Sequence, residues 1–215
     1  LITPKNLIYS NHPGEHPLPP KAECVLFDLD GTIINSEHIH AQALAKIISS
    51  TLKQTIALQQ LEAKFKGYND IDVYNSLELK NILPLDQFIE SKNKAISQII
   101  ETYSLLDIEK IMAPHIRNYL IKLNNEKLKV GLVSASEKDV IINILKKCEI
   151  INQFKVIVSR ESTALSKPSP SPYFMAMRLF DVTTNKTVIF EDSVAGTTAA
   201  VRSGATVFNV KWANR

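Results

Sequence analysis

The sequence predicts an α/β fold, a Rossmann-like parallel sheet core with an inserted helical cap domain. Three observations carry this. The apolar run Val25-Leu26-Phe27 ends in Asp28-Leu29-Asp30-Gly31-Thr32, which reads as a buried strand closing in a tight turn. Between Ser36 and Ser104 no strand pattern occurs. From Leu128 onward strand and helix patterns alternate, which implies right-handed crossovers and a parallel sheet.

Taken in order, residues 1–20 form an extended lead-in with prolines at 13, 17, 19 and 20. His12 and His16, set among those prolines, read as solvated loop residues. Residues 23–29 are the first strand. Apolar residues then recur at helical spacing: Ile39, Ala43, Leu44, Ile47 and Ile48; Leu58, Leu61 and Phe65; Val73 and Leu77; Phe88, Ile89, Ile96, Ile99 and Ile100. Gly67 and Pro84 break the pattern. Strands are expected at Leu128–Val133, Phe154–Val158, Thr187–Phe190 and Thr206–Val210. Helices are expected at Lys138–Cys148, Pro170–Phe180 and Val194–Ser203. The chain thus divides into a lead-in (1–20), an α/β core (21–35 and 105–215) and a helical cap (36–104). An insertion directly after the strand bearing both aspartates is expected over the active-site end of the sheet, as a lid.

Bulk composition narrows the function classes. The chain has 215 residues, 45% of them hydrophobic, with a net charge of +3. Acids and bases are interspersed, and no basic run suggests nucleic acid. No apolar run approaches the roughly 18 residues of a membrane span. Residues 1–20 lack the continuous apolar stretch of a signal peptide. Cys24 and Cys148 stand outside any Cys-x-x-Cys pair and read as small buried apolar residues. The expectation is a monomeric cytoplasmic protein.

The chemistry concentrates at strand ends, where open α/β sheets bind ligands. Strand alternation alone would send Asp28 and Asp30 to opposite faces, but a turn at Gly31 can bring Asp30 back to the same cleft. Two such carboxylates can hold a divalent metal, or serve as nucleophile and proton carrier. An EF-hand is excluded, because its loop needs Gly at the sixth position and Gly31 is fourth. Ser134-Ala135-Ser136 follows a strand and precedes a helix, the setting of an anion seat made of a hydroxyl and free N–H groups; simple helix capping by Ser136 explains it equally well. Lys167, on a loop stiffened by Pro168, Pro170 and Pro172, offers a point charge to a phosphate or a carboxylate. Glu191 and Asp192 end another strand. Four carboxylates in one cleft would repel unless a cation joined them, and an all-oxygen site suits Mg²⁺.

Together these segments resemble the haloacid dehalogenase superfamily, and within it the β-phosphoglucomutase-like phosphatase branch. Its four motifs occur in order: Asp28 to Thr32, Ser134, Lys167 to Tyr173, and Glu191 to Ala200. The resemblance implies Asp28 as nucleophile and Asp30 as general acid and base. It implies Ser134, Ala135 and Lys167 as phosphate-binding residues. Mg²⁺ would be held by Asp28, Asp30 (through its carbonyl) and Asp192, with Glu191 as ligand or supporting partner. In the cap, His40 and the loop residues Gly67, Tyr68, Asn69 and Asp70 would meet the substrate. The branch's sugar mutases carry an arginine at the position of Asp70, where an acid would repel a second phosphate.

The implied activity is Mg²⁺-dependent hydrolysis of a small phosphorylated metabolite, such as a sugar phosphate, through an aspartyl-phosphate. A sugar phosphomutase is the alternative, followed by a non-catalytic regulatory module. Asp30 argues against dehalogenation, which has no step that needs it.

Overall fold

The computed structural model describes residues 5–65 and 70–214. They form two compact units, one within residues 5–35 and 108–214, the other within residues 36–65 and 70–107.

The larger unit is built on six parallel strands: β1 (Leu7–Ser10), β2 (Cys24–Phe27), β3 (Lys129–Val133), β4 (Val156–Val158), β5 (Thr187–Glu191) and β6 (Thr206–Val210), in the spatial order β1-β6-β5-β2-β3-β4. β2 lies inside the sheet between β3 and β5, so its residues are buried on both faces and the run is apolar throughout. On one face Phe27, Phe190 and Phe208 stand in register on neighbouring strands. Their rings stack with centroids 5.0 and 5.1 Å apart, and Tyr119 meets Phe27 and Phe190 edge-on. Such pairs contribute about 0.5–1.5 kcal/mol each beyond their burial. On the other face Cys24, Leu26, Ile189 and Val207 pack with Ala176, Met177, Ala199 and Ala200. Those last four come from α8 (Ser171–Phe180) and α9 (Val194–Arg202), while α7 (Lys138–Lys147) lies between β3 and β4 in the chain.

Two features differ from the pattern read in the sequence. The lead-in contributes a strand: β1 pairs with β6 from Leu7↔Val207 to Ser10↔Val210. Its four residues precede the first described proline, Pro13, and so keep the N–H groups that a ladder needs. His16 is not simply solvated, since its ring stacks on Phe208 with centroids 6.1 Å apart. The stretch 105–127, to which periodicity assigned nothing, forms α5 (Leu105–Ile111) and α6 (Ile116–Asn125). Ile116, Leu120 and Leu123 are its buried stripe, a helical spacing too short to stand out.

The smaller unit is helical: α1 (Glu37–Leu52), α2 (Leu58–Phe65), α3 (Asp70–Ser76) and α4 (Leu85–Thr102). Its own core gathers Leu44, Ile47, Ile48, Leu61, Val73, Tyr74, Leu79, Phe88 and Ile89. Pro84 starts α4 from an extended backbone, as a residue without an N–H does at no cost at a helix start. No helix among the described residues is long and apolar enough to cross a membrane.

Candidate active site

The site is assembled at the carboxyl ends of β2, β3 and β5. Asp28 directly follows β2, and its N–H still donates to the Phe190 carbonyl of β5 at 3.0 Å. The chain then turns. Ile33 and Ile34 donate back to the Leu29 carbonyl, and Gly31 donates to the Ile34 carbonyl. Gly31 has φ +85°, a region L side chains rarely adopt. It also has no room for one, because a Cβ there would lie 2.1 Å from Asp192 Oδ2. This turn carries Asp30 round from the strand, and its Oδ2 accepts a hydrogen bond from Ser136 Oγ at 3.0 Å.

Lys167 joins the elements. Its ammonium donates to Asp28 Oδ1 at 2.7 Å, to Glu191 Oε1 at 2.5 Å and to the Val133 carbonyl at 2.9 Å. The side chains of Lys167, Asp28 and Glu191 are almost fully buried. Glu191 is saturated with donors. Tyr173 Oη reaches its Oε1 at 2.9 Å, while its Oε2 accepts from Asp192 N, Ser193 N and Ser193 Oγ at 3.0–3.1 Å. Ser193 Oγ also caps α9 by accepting from Gly196 N. Ser134 Oγ accepts from Ser136 N at 3.0 Å, and Ala135 is exposed beside it.

The charges do not cancel within the protein. Oxygens of Asp28, Glu191 and Asp192 all lie within 4.8 Å of one another, with one buried ammonium among them. Burial holds the Asp28 carboxyl well above the usual range; Lys167 opposes this, while Glu191, Asp192 and Asp30 add to it. Burial, with Glu191 next, pushes Asp192 up to about 7. Burial works against the Lys167 charge, but Asp28 and Glu191 outweigh it and its pKa is raised. A compact set of oxygen donors with surplus negative charge fits a hard divalent cation.

The structure therefore brings Asp28, Asp30, Ser134, Lys167, Glu191 and Asp192 to one end of one sheet. Three further residues belong with them: Ser136, which holds Asp30 rather than capping a helix, Tyr173, and Thr32, whose hydroxyl is 3.4 Å from Asp192 Oδ1. Tyr173 stands in the lysine motif, at the spacing that would have marked it; Ser136 had no signal beyond its hydroxyl. His40 lies in the first turns of α1, in the helical unit. Gly67, Tyr68 and Asn69 fall outside the described residues. Asp70, expected in a loop, is the first residue of α3. Asp70 and Asp72 in that first turn favour helix over loop through the helix dipole. The Asp70 carboxylate pairs with Lys92 of α4, whose side chain is 10% exposed.

Comparison with known proteins agrees with this fold. "Phosphorylated carbohydrates phosphatase" of Thermotoga maritima is 23% identical over 85% of this chain and 82% of its own length. "Beta-phosphoglucomutase" of Bacillus subtilis is 27% identical over 85% of this chain and 80% of its own. The crystal structure of CbbY from Rhodobacter sphaeroides in complex with phosphate superposes with a TM-score of 0.75. It is 20% identical and covers 89% of this chain and 88% of that one. Residues 25–210 match the family model of the haloacid dehalogenase-like hydrolases. With that match covering the site-bearing strands, the helical insertion and the segments of Asp28, Ser134, Lys167 and Glu191, the chain belongs to the haloacid dehalogenase-like hydrolases.

Proposed function

We propose that the chain is a Mg²⁺-dependent phosphatase that hydrolyses small organic phosphate monoesters, a sugar phosphate foremost, through an aspartyl-phosphate on Asp28. The observation that carries this reading is the Lys167 ammonium, buried between Asp28 and Glu191. It neutralises one oxygen of the nucleophile and supplies positive charge where phosphoryl oxygens would gather. Phosphoryl transfer depends on such positioning and charge neutralisation more than on covalent assistance.

Asp28, Asp192 and the Asp30 carbonyl would hold Mg²⁺; Glu191, with both oxygens already engaged, would fix its neighbours instead. When bound, the ion supplies charge neutralisation to the phosphoryl oxygens and to Asp28. In the first half-reaction an Asp28 carboxylate oxygen forms a bond to phosphorus as the ester P–O bond breaks. Asp30, oriented by Ser136, gives its proton to the departing alkoxide. In the second, Asp30 takes a proton from water, the water oxygen attacks phosphorus, and Asp28 and inorganic phosphate separate. Ser134, Ala135 and Lys167 hold the transferred group.

The sugar-phosphate class draws support from the relatives, one named as a carbohydrate-phosphate phosphatase. A CbbY variant has also been crystallised with xylulose-1,5-bisphosphate. Phosphomutase is the second reading, raised by the β-phosphoglucomutase relative. The acid at position 70, engaged with Lys92, favours the phosphatase. The same reading takes the chain as a monomeric cytoplasmic enzyme. Assay of the purified chain on p-nitrophenyl phosphate and a panel of sugar phosphates, with Mg²⁺ and after exhaustive chelation, tests it. Metal-dependent release of phosphate is expected; full turnover without metal contradicts it.

A further inference from the structure

Three residues outside the matched span 25–210 are tied to the site. Lys211 and Trp212 follow β6, and Lys211 N donates to the Asn11 carbonyl of the segment after β1. From there two side chains reach inward. Lys211 Nζ donates to the Asp192 backbone carbonyl at 3.0 Å. Trp212 Nε1 donates to the Thr32 carbonyl at 2.9 Å.

The sheet order explains why these residues are placed to act. β6 neighbours β5, and β5 neighbours β2. Lys211 thus grips the loop of the adjacent strand, which carries Asp192. Trp212 reaches past it to the loop of the next strand, which carries Asp30. Two strand spacings amount to about 10 Å, a distance suited to the longest rigid side chain. Thr32 is fully buried, so its carbonyl has little access to water when the indole is withdrawn. An unmet buried acceptor is costly enough to shift the turn that holds it.

We propose that Lys211 and Trp212 are positioning residues. Together they fix the spacing between the Asp30 turn and the Asp192 loop, and the N-terminal segment anchors them through Asn11. Catalytic groups must be held within roughly 0.5 Å of their productive places. Downstream of Gly31 the turn is held by Ala113 N, which donates to the Ile33 carbonyl at 2.8 Å, and by the Thr32 hydroxyl, 3.4 Å from Asp192 Oδ1; the tie from Trp212 is the long-range bond to the Thr32 carbonyl.

Hydrogen–deuterium exchange on wild type, Trp212→Phe and Lys211→Met tests this without reference to activity. Trp212→Phe keeps an aromatic ring and removes the N–H donor together with the pyrrole part of the indole. The expected result is faster exchange in peptides covering 29–34 for Trp212→Phe and 191–196 for Lys211→Met, with β2 and β5 unchanged. Unchanged exchange in both loops, or a uniform rise across the sheet, overturns the proposal. The kinetic arm rests on the phosphatase reading. There kcat should fall about 10-fold in Trp212→Phe with KM within about 2-fold, as for groups displaced rather than lost. Lys211→Arg, which keeps a donor, should behave as wild type. A Trp212→Phe enzyme with unaltered kcat refutes the positioning role. A wild-type chain without phosphatase activity but with loop-confined exchange refutes only the proposed reaction.

Discussion

Gly196 and Glu191 occupy the same space: a Cβ on Gly196 would lie 1.7 Å from Glu191 Oε1. The first turn of α9 is bare at this point so that the carboxylate can lie against it, with its other oxygen held by Ser193. Gly196→Ala must therefore push Glu191 off Lys167 and Tyr173, or shift α9. Since displacements near 1 Å can cost about 100-fold in rate, Gly196→Ala should lower kcat/KM by about that factor. Its far-ultraviolet circular dichroism should stay that of the wild type. Steady-state kinetics with p-nitrophenyl phosphate decides it, and a Gly196→Ala enzyme of wild-type activity would show that the Glu191 carboxylate does not need this seat.

Asp192 gives stability a pH dependence of defined sign. In the metal-free protein its folded pKa is pushed up to about 7 from the ordinary 3.8, by burial first and by Glu191 next. The folded state then binds more protons than the unfolded one between those values, so stability falls as pH rises from about 4 to about 7. A bound cation removes the penalty by pairing the charge. The Tm gain on adding Mg²⁺ should accordingly be larger at pH 8 than at pH 5, and Asp192→Asn should flatten that difference. Thermal melts with Mg²⁺ and with a chelator at both pH values are the check. Equal gains at both would remove Asp192 from the ion's surroundings.

The pair formed by Asp70 and Lys92 belongs to the interior of the helical unit, where Lys92 is buried among apolar residues of α4. Removing one partner leaves the other charge without compensation. With Asp70 partly exposed, Asp70→Ala should cost about 2 kcal/mol of stability. Asp70→Arg should cost more, because it sets two cations together. Denaturant titration measures both, and the double variant Asp70→Ala/Lys92→Met should recover most of the loss. A single Asp70→Ala variant of unchanged stability would leave Asp70 available for the substrate role that its motif position suggests.

Much of this was legible in the chain. The runs of β2, β3, β5 and β6 are buried almost throughout, so burial forces their largely apolar composition. The acids at the ends of β2 and β5 and the lysine on the loop before α8 have no structural reason to cluster. Contacts across long sequence separations are not legible in the sequence. β1 is four residues long, and only its pairing with β6 makes Leu7–Ser10 a strand. Ser136 reads as a helix cap until the Gly31 turn delivers Asp30 to it. Trp212 has no motif around it, and its partner Thr32 is distant in the sequence. Asp70 could be located by its motif, but not its partner Lys92, which periodicity places on the buried face of α4 without saying what it meets.

In the proposed reaction a carboxylate oxygen of Asp28 receives phosphorus. Rapid quench of a single turnover with a radiolabelled phosphate monoester, followed by peptide mapping, measures this directly. The account predicts acid-stable label on the peptide containing Asp28. In Asp30→Asn the label should appear slowly and persist, because discharge needs the proton acceptor; in Asp28→Asn no label and no turnover are expected. Label on another residue, or near-normal turnover by Asp28→Asn, would contradict it.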